Sequence, residues 1–414
     1  MFRDSHPLSR CPSRWARSLL LSCLLLIFSI PPAARGESLP AGQPAELGIS
    51  PERLGRLDGV IQTAIEEGKI PGAVMLVARR GKTVYRKAFG LRAKEPTEEP
   101  MTVDSIFDIA SLTKVLATAT SIMILVEEGK IALNQPVSEF IPPFARRGKE
   151  KVTLLHLLTH HSGLRPDLDM VPKWQGYKKA IDLACRERLV SEPGTQFIYS
   201  DINYILLGEV VHQVSGMGLD QFAAERIFRP LGMVDTGFLP GPEKAQRLVP
   251  TILRDGEMLR GQVHDPTSAR MGGVAGNAGV FSTVDDVAIW AQMLLNGGDY
   301  RGVRILSPLG ALKMSTPQEI RSSPDWRGVG FDIETRFSTV RGDLFPTGSY
   351  GHTGFTGTSV WLDPFTETIV ILFTSRLHPN GEGDVVALRS KVASVVAASL
   401  LDVRIPRSLF YQGY

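Results

Sequence analysis

The stretch DIASLTKVLAT, residues 108–118, sets Ser111 and Lys114 three positions apart at the start of an apolar run. On a helix such residues are neighbours on one face, about 4.5 Å apart along the axis. A serine at a helix start can expose its hydroxyl and keep its N–H free, because first-turn donors have no intrahelical acceptor. That N–H can stabilise an oxyanion. A lysine one turn on can take the hydroxyl proton when burial or a nearby cation lowers its pKa. Ile109, Ala110, Leu112, Val115 and Leu116 would keep the pair dry. An isolated S-x-x-K is more often two surface residues of an amphipathic helix, so this pair takes its meaning from the rest of the chain, where the spacing does not recur.

Two later stretches carry matching chemistry. PGTQFIYSDINYILLGEVV places Tyr199 and Ser200 just before a helix, with Asp201 as its expected N-cap. SYGHTGFTGTSVWLDP places His352, Thr353 and Gly354 at the end of one strand and before another. In the order S-x-x-K, Y-x-(N/D), H-T-G, the three resemble the serine β-lactamase and penicillin-binding-protein superfamily, and most closely its class C-like group of esterases and D-alanyl-D-alanine carboxypeptidases. LLHLLTHHSGL (154–164) and GGVAGNAGVFSTVDDVAIWAQMLLNGG (272–298) extend the resemblance over nearly all of the chain beyond the leader.

The resemblance implies a β-lactamase/transpeptidase-like α/β (α+β) fold, with an antiparallel sheet flanked by N- and C-terminal helices and a mainly helical region inserted. It implies that Ser111 is the acylated nucleophile, Lys114 its basic partner and Tyr199 the second base. Thr353 and Gly354 would pair with substrate, and the Phe355 N–H would join that of Ser111 as oxyanion donor. No cofactor or metal is implied. The implied substrate is a small-molecule or peptidoglycan-derived ester or amide.

Two positions depart from the family pattern. Asp201 stands where Asn is usual; a carboxylate near Lys114 favours the charged amine, which shifts weight to Tyr199 or to a protonated Asp201. His352 stands where Lys is usual in K-T-G. A reference imidazole is mostly neutral at pH 7, so the permanent cation for a substrate carboxylate is missing. An esterase, or a peptidase with weak carboxylate recognition, is therefore expected over an efficient β-lactamase. Activity on anionic substrates is expected to rise as pH falls. An acyltransferase shares the acyl-enzyme, and a non-catalytic ligand-binding protein on the same fold is the rival from another class.

Other signals weigh less. His156 and His160 have i, i+4 spacing but lack the H-E-x-x-H pattern. Asn277, in the Gly-rich loop, is a minor candidate for substrate contact. His264-Asp265 could belong to a triad, but the chain has no G-x-S-x-G elbow.

The elements that must position these groups follow from pattern. SPERLGRLDGVIQTAIEEG reads as a helix capped by Ser50, with Pro51 at its first position. AVMLVARRGKTVYRKAFG reads as two strands around a turn. ETIVILFTSR adds a strand near the C-terminus, and DVVALRSKVASVVAASLL a final helix. The expected organisation is a signal peptide (1–36), a sheet region from 37–110 and 330–414, and a mainly helical region over 111–329, forming one domain of about 45–403.

The leader rests on Arg3, Arg10, Arg14 and Arg17 before LLLSCLLLIFSI, with Ala34 and Gly36 placed for cleavage. Export to the periplasm or outside the cell is expected, with no stable membrane span after cleavage. The leader holds five of the 46 basic and one of the 43 acidic residues, leaving 41 and 42. With no basic patch among aromatics, nucleic acid is excluded as a partner. Cys185 alone remains beyond the leader, so no intrachain disulfide framework is expected.

Overall fold

The computed structural model describes residues 38–404, apart from residues 255, 321 and 322; the expected signal peptide at 1–36 lies outside them. An antiparallel sheet of eight strands runs, edge to edge, Trp326–Arg327, Asp332–Glu334, Tyr350–Thr353, Ser359–Asp363, Thr368–Thr374, Gly72–Arg79, Lys82–Ala93 and Glu99–Pro100. Strands from the two ends of the chain meet where Gly72–Arg79 pairs with Thr368–Thr374, Met75 lying opposite Leu372.

Gly72–Arg79 is buried along its whole length. Its sequence, GAVMLVAR, is apolar almost throughout, as a strand covered on both faces requires. Successive side chains point to opposite faces, so this strand serves two cores. Val74, Leu76 and Ala78 join the large core with Val115, Leu116 and Trp290, whereas Ala73, Met75 and Val77 pack beneath the terminal helices.

Those helices begin as the sequence predicts. The Ser50 hydroxyl accepts the Arg53 N–H at 3.2 Å, with Pro51 at the first helical position. The single helix expected there is broken at Gly55 into Pro51–Leu54 and Arg56–Glu66. Leu54, Leu57 and Ile61 turn inwards beside Leu388, Val392 and Val396 of the C-terminal helix Val386–Ser399.

The segment between the sheet's two halves holds helices that include Thr120–Glu127, Asp201–Ser215 and Val284–Leu295. It also contributes to a small sheet in which Val280–Ser282 lies between Phe107–Asp108 and Gly237–Phe238, a feature its helical patterns do not announce. That sheet sets Asp108 opposite Phe281, three residues before Ser111. The run Ala110–Glu127 is long and apolar enough to cross a membrane, and most of it is buried in the protein's own core.

The terminal helices pack against one face of the central strands, so truncating their contact leaves a cavity. Leu57→Ala, at a fully buried site, is expected to cost about 2–5 kcal/mol in denaturant unfolding. A loss under about 1 kcal/mol would contradict this packing.

Candidate active site

The Ser–Lys segment is not the regular α-helix expected. A 3-10 turn spans Ala110–Leu112, π-helical turns run over Lys114–Ala119, and α-helix begins at Thr120. Such widened turns frequently mark functional sites. Here threonines support them: the Thr118 hydroxyl donates to Gly276 O at 2.7 Å and that of Thr120 to Val115 O at 2.8 Å. Ala110 takes φ 46°, a left-handed conformation costing a non-glycine residue about 1–3 kcal/mol. Buried Asp108 holds the strained turn, accepting the Ala110 N–H at 2.9 Å and the His264 N–H at 2.7 Å. Burial pushes the Asp108 carboxyl up to about 6 despite these two donors.

Lys114 is wholly buried. Its Nζ lies 3.1 Å from Ser111 Oγ, 2.9 Å from the Asn277 carbonyl oxygen and 2.5 Å from Asp201 Oδ1. Burial pushes the ammonium pKa down, but Asp201 and Tyr199 beside it push harder the other way and raise it. The net direction favours the ammonium, while burial also pushes the pKa of its partner Asp201 up. Asp201 is the first residue of the helix Asp201–Ser215, not its N-cap; Ser200 is the cap, and the Asp201 carboxylate is spent on Lys114.

Asp167 and Asp265 place carboxylate oxygens within 4.8 Å of one another and of Asp201. Lys114 supplies a positive charge to the Asp201 member of the cluster. Burial, then Asp201 and Asp265, push Asp167 up to about 7.

Tyr199 lines the same cavity as Ser111, with Lys114 Nζ 5.1 Å from its ring centroid. Opposite lies the turn that follows Tyr350–Thr353. A Cβ on Gly354 would fall 2.5 Å from Ile109 O and 2.2 Å from Thr358 Oγ1, so only glycine allows this approach. Thr356 and Thr358 clamp the turn to the nucleophile segment, donating to Asp108 O at 2.7 Å and Ile109 O at 3.1 Å. Among the described residues no backbone hydrogen bond engages the N–H of Ser111 or of Phe355. Both donors are free for an oxyanion.

Three arginines that sequence reading missed line this cavity of about 370 Å³: Arg327, Arg376 and Arg389. Arg389 donates to Gly354 O and Thr358 O, each at 2.8 Å, and Arg376 to Phe355 O at 2.7 Å, so both brace the turn. The Nε of Arg327 and of Arg389 are buried without a hydrogen-bond partner among the described residues. Burial, and then the neighbouring Arg376 guanidinium, push Arg389 below the usual guanidinium range. Arg389 stands on the final predicted helix, where nothing in its local pattern marks it as buried beside a site.

Two expectations are corrected. Asn277, a minor candidate for substrate contact, is fully buried and does not line the cavity; its carbonyl holds Lys114, while its side chain bonds Asp265 and Ser268. The cavity does hold other cationic side chains, in these arginines, together with the carboxylates of Asp332 and Asp384; Arg327 is paired with Asp332 at 3.3 Å. His352 is buried, with Nδ1 2.9 Å from Thr353 O, and burial, then Arg327 and Lys114, hold its pKa well below 6.5.

The lesser signals also find their places. His156 Nδ1 accepts the Thr153 N–H in a capping box. His160 Nδ1 accepts the Ser200 N–H. Asp265 caps the helix Pro266–Arg270, and His264 stacks on Phe355 with centroids 5.6 Å apart.

The β-lactamase family profile matches residues 57–393. This chain belongs to the β-lactamase family. An Escherichia coli relative with the provisional name D-alanyl-D-alanine carboxypeptidase is 32% identical over 398 residues, covering 87% of this chain and 91% of its own. An octameric penicillin-binding protein homologue from Pyrococcus abyssi is 26% identical, with a TM-score of 0.67 over 83% of this chain and 77% of that one. EstCE1, a hydrolase with promiscuous acyltransferase activity, shares the fold at 24% identity, with a TM-score of 0.68 over 84% of this chain and 99% of its own. The chain is a serine hydrolase on the β-lactamase/transpeptidase-like fold.

The neutrality of His352 removes the pH dependence expected from the sequence. Its folded pKa lies below the reference, so it gains no charge as pH falls through 6.5. The ratio of turnover of an anionic to a neutral ester, corrected for ionisation of the substrate, is expected to stay flat from about pH 8 to about 5.5. A ratio rising severalfold towards low pH would contradict the buried, neutral imidazole.

Proposed function

We propose that the protein is an exported hydrolase that forms an acyl-enzyme on Ser111 with substrates whose leaving group ends in a free carboxylate, as D-alanyl-D-alanine peptides do. Ser111 Oγ attacks the scissile carbonyl, and its proton passes through Tyr199 to the leaving nitrogen as the C–N bond breaks. Water then attacks the ester, and its proton passes through Tyr199 to Ser111 Oγ as the acyl C–O bond breaks. Lys114, held as an ammonium by Asp201, stabilises charge developing on the Ser111 and Tyr199 oxygens. The Ser111 and Phe355 N–H groups take the oxyanion. Thr353 and Gly354 border the substrate strand.

The observation that carries the carboxylate reading is Arg389, a buried guanidinium on the cavity wall with an unpartnered Nε and a second cation, Arg376, beside it. An arriving anion relieves both the missing hydrogen bond and the repulsion. The name of the Escherichia coli relative agrees with this reading. The leader at 1–36 supports export, to the periplasm or outside the cell, where peptidoglycan-derived peptides would be met.

An ester reading has its own support. Phe337, Phe355 and Val386 border the cavity and are exposed, which suits an apolar acyl group; acyl transfer differs only in what accepts that group.

The test is hydrolysis of a peptide ending in D-Ala-D-Ala, as the free acid and as its C-terminal amide. The free acid is expected to have about a 10- to 100-fold higher kcat/KM, the scale of a charge-assisted hydrogen bond. Ser111→Ala should abolish both reactions. Equal rates would remove carboxylate recognition, and turnover of esters without peptide cleavage would favour the esterase.

A further inference from the structure

Tyr199 lies between two residues that hang on a single third one. The Ile198 N–H donates to the backbone oxygen of His160 at 2.9 Å, and the Ser200 N–H donates to its Nδ1 at 3.0 Å. Between those anchors the His160 imidazole stacks on the Tyr199 ring, centroids 4.3 Å apart and planes 28° from parallel. Phe337 meets the same ring edge-on, at 5.7 Å. One residue therefore grips the backbone on both sides of the tyrosine and its ring as well.

The backbone of His160 is set for this grip. Its φ is 61°, a left-handed conformation that a non-glycine residue keeps only when its surroundings enforce it. Accepting a backbone N–H at Nδ1 places the ring proton on Nε2. That Nε2 is buried with no partner among the described residues. Burial, then the Arg327 and Lys114 cations, disfavour a positive charge on the ring.

We propose that His160 is a positioning residue for Tyr199, fixing the tyrosine ring beside Ser111 and Lys114 through the ring stack and the Ser200 N–H bond. His160 touches neither substrate nor reacting atoms; it acts through Tyr199. The inference rests on the serine hydrolase reading with Tyr199 as proton carrier. It adds a residue that the sequence singled out only by its i, i+4 spacing with His156, a spacing without the H-E-x-x-H pattern.

The test is a double-mutant cycle with His160→Asn and Tyr199→Phe, using a neutral nitrophenyl ester. Asn tolerates positive φ and keeps an acceptor for Ser200, but it lacks the aromatic face. Alone, His160→Asn is expected to lower kcat about 10- to 100-fold with KM within about twofold, the scale of a misplaced catalytic group. In the Tyr199→Phe background the same change should alter kcat less than about twofold, because the group it positions is gone. Equal losses in both backgrounds, or a wild-type kcat in His160→Asn, would overturn the proposal.

A second readout does not depend on turnover. The ring proton shifts of Tyr199, assigned by NMR, should move towards unstacked values in folded His160→Asn; unchanged shifts would also overturn the proposal. A wild type with no Ser111-dependent ester turnover would instead overturn the hydrolase reading, and the ring shifts would still decide the role of His160.

Discussion

The site is organised around one buried charge. Moving an ammonium out of water costs several kcal/mol unless it is paired and hydrogen-bonded, and Lys114 is fully enclosed. Its partners come from three separate parts of the chain: Ser111 on the preceding turn, the Asn277 carbonyl from the Gly-rich loop, and Asp201 at the start of a long helix. Satisfying that charge draws the three together. The same requirement explains the Gly-rich loop, where a Cβ on Gly276 would fall 1.9 Å from Tyr204 O. The loop must pass against the helix for its carbonyls to reach Lys114 and Thr118.

The opposite wall answers to a second constraint, the alignment of two backbone donors from separate turns. The Gly354–Thr358 turn is fixed from the nucleophile side by Thr356 and Thr358 and from the C-terminal helix by Arg389. The sheet thus couples the first and last parts of the chain to one point. Arg389 serves both that turn and the cavity, which links the terminal helices to the chemistry as well as to stability.

Much of this was legible in the sequence, for identifiable reasons. Ser111, Lys114, Tyr199 and His352–Gly354 sit in short patterns whose order carries the family likeness, and the buried strand and capped helix follow from apolar runs and local caps. What was not legible depends on distant partners. Asp201 looked like a cap because caps are local, and its use on Lys114 is a contact across 87 positions of chain. Nor did sequence show that burial would keep His352 neutral or that Arg327, Arg376 and Arg389 would converge on the cavity. The 3-10 and π-helical turns at the nucleophile also escape pattern reading, since their apolar residues fit an ordinary helix equally well.

The protonation state of Lys114 is the most direct test, read from its side-chain ¹⁵N shift in uniformly ¹⁵N-lysine-labelled protein, assigned by comparison with Lys114→Arg. The account predicts an ammonium at neutral pH that persists to about pH 9, beyond which free lysine itself begins to titrate. A neutral amine at pH 7 would contradict it, making Lys114 itself the resting base and Asp201 something other than its counter-ion.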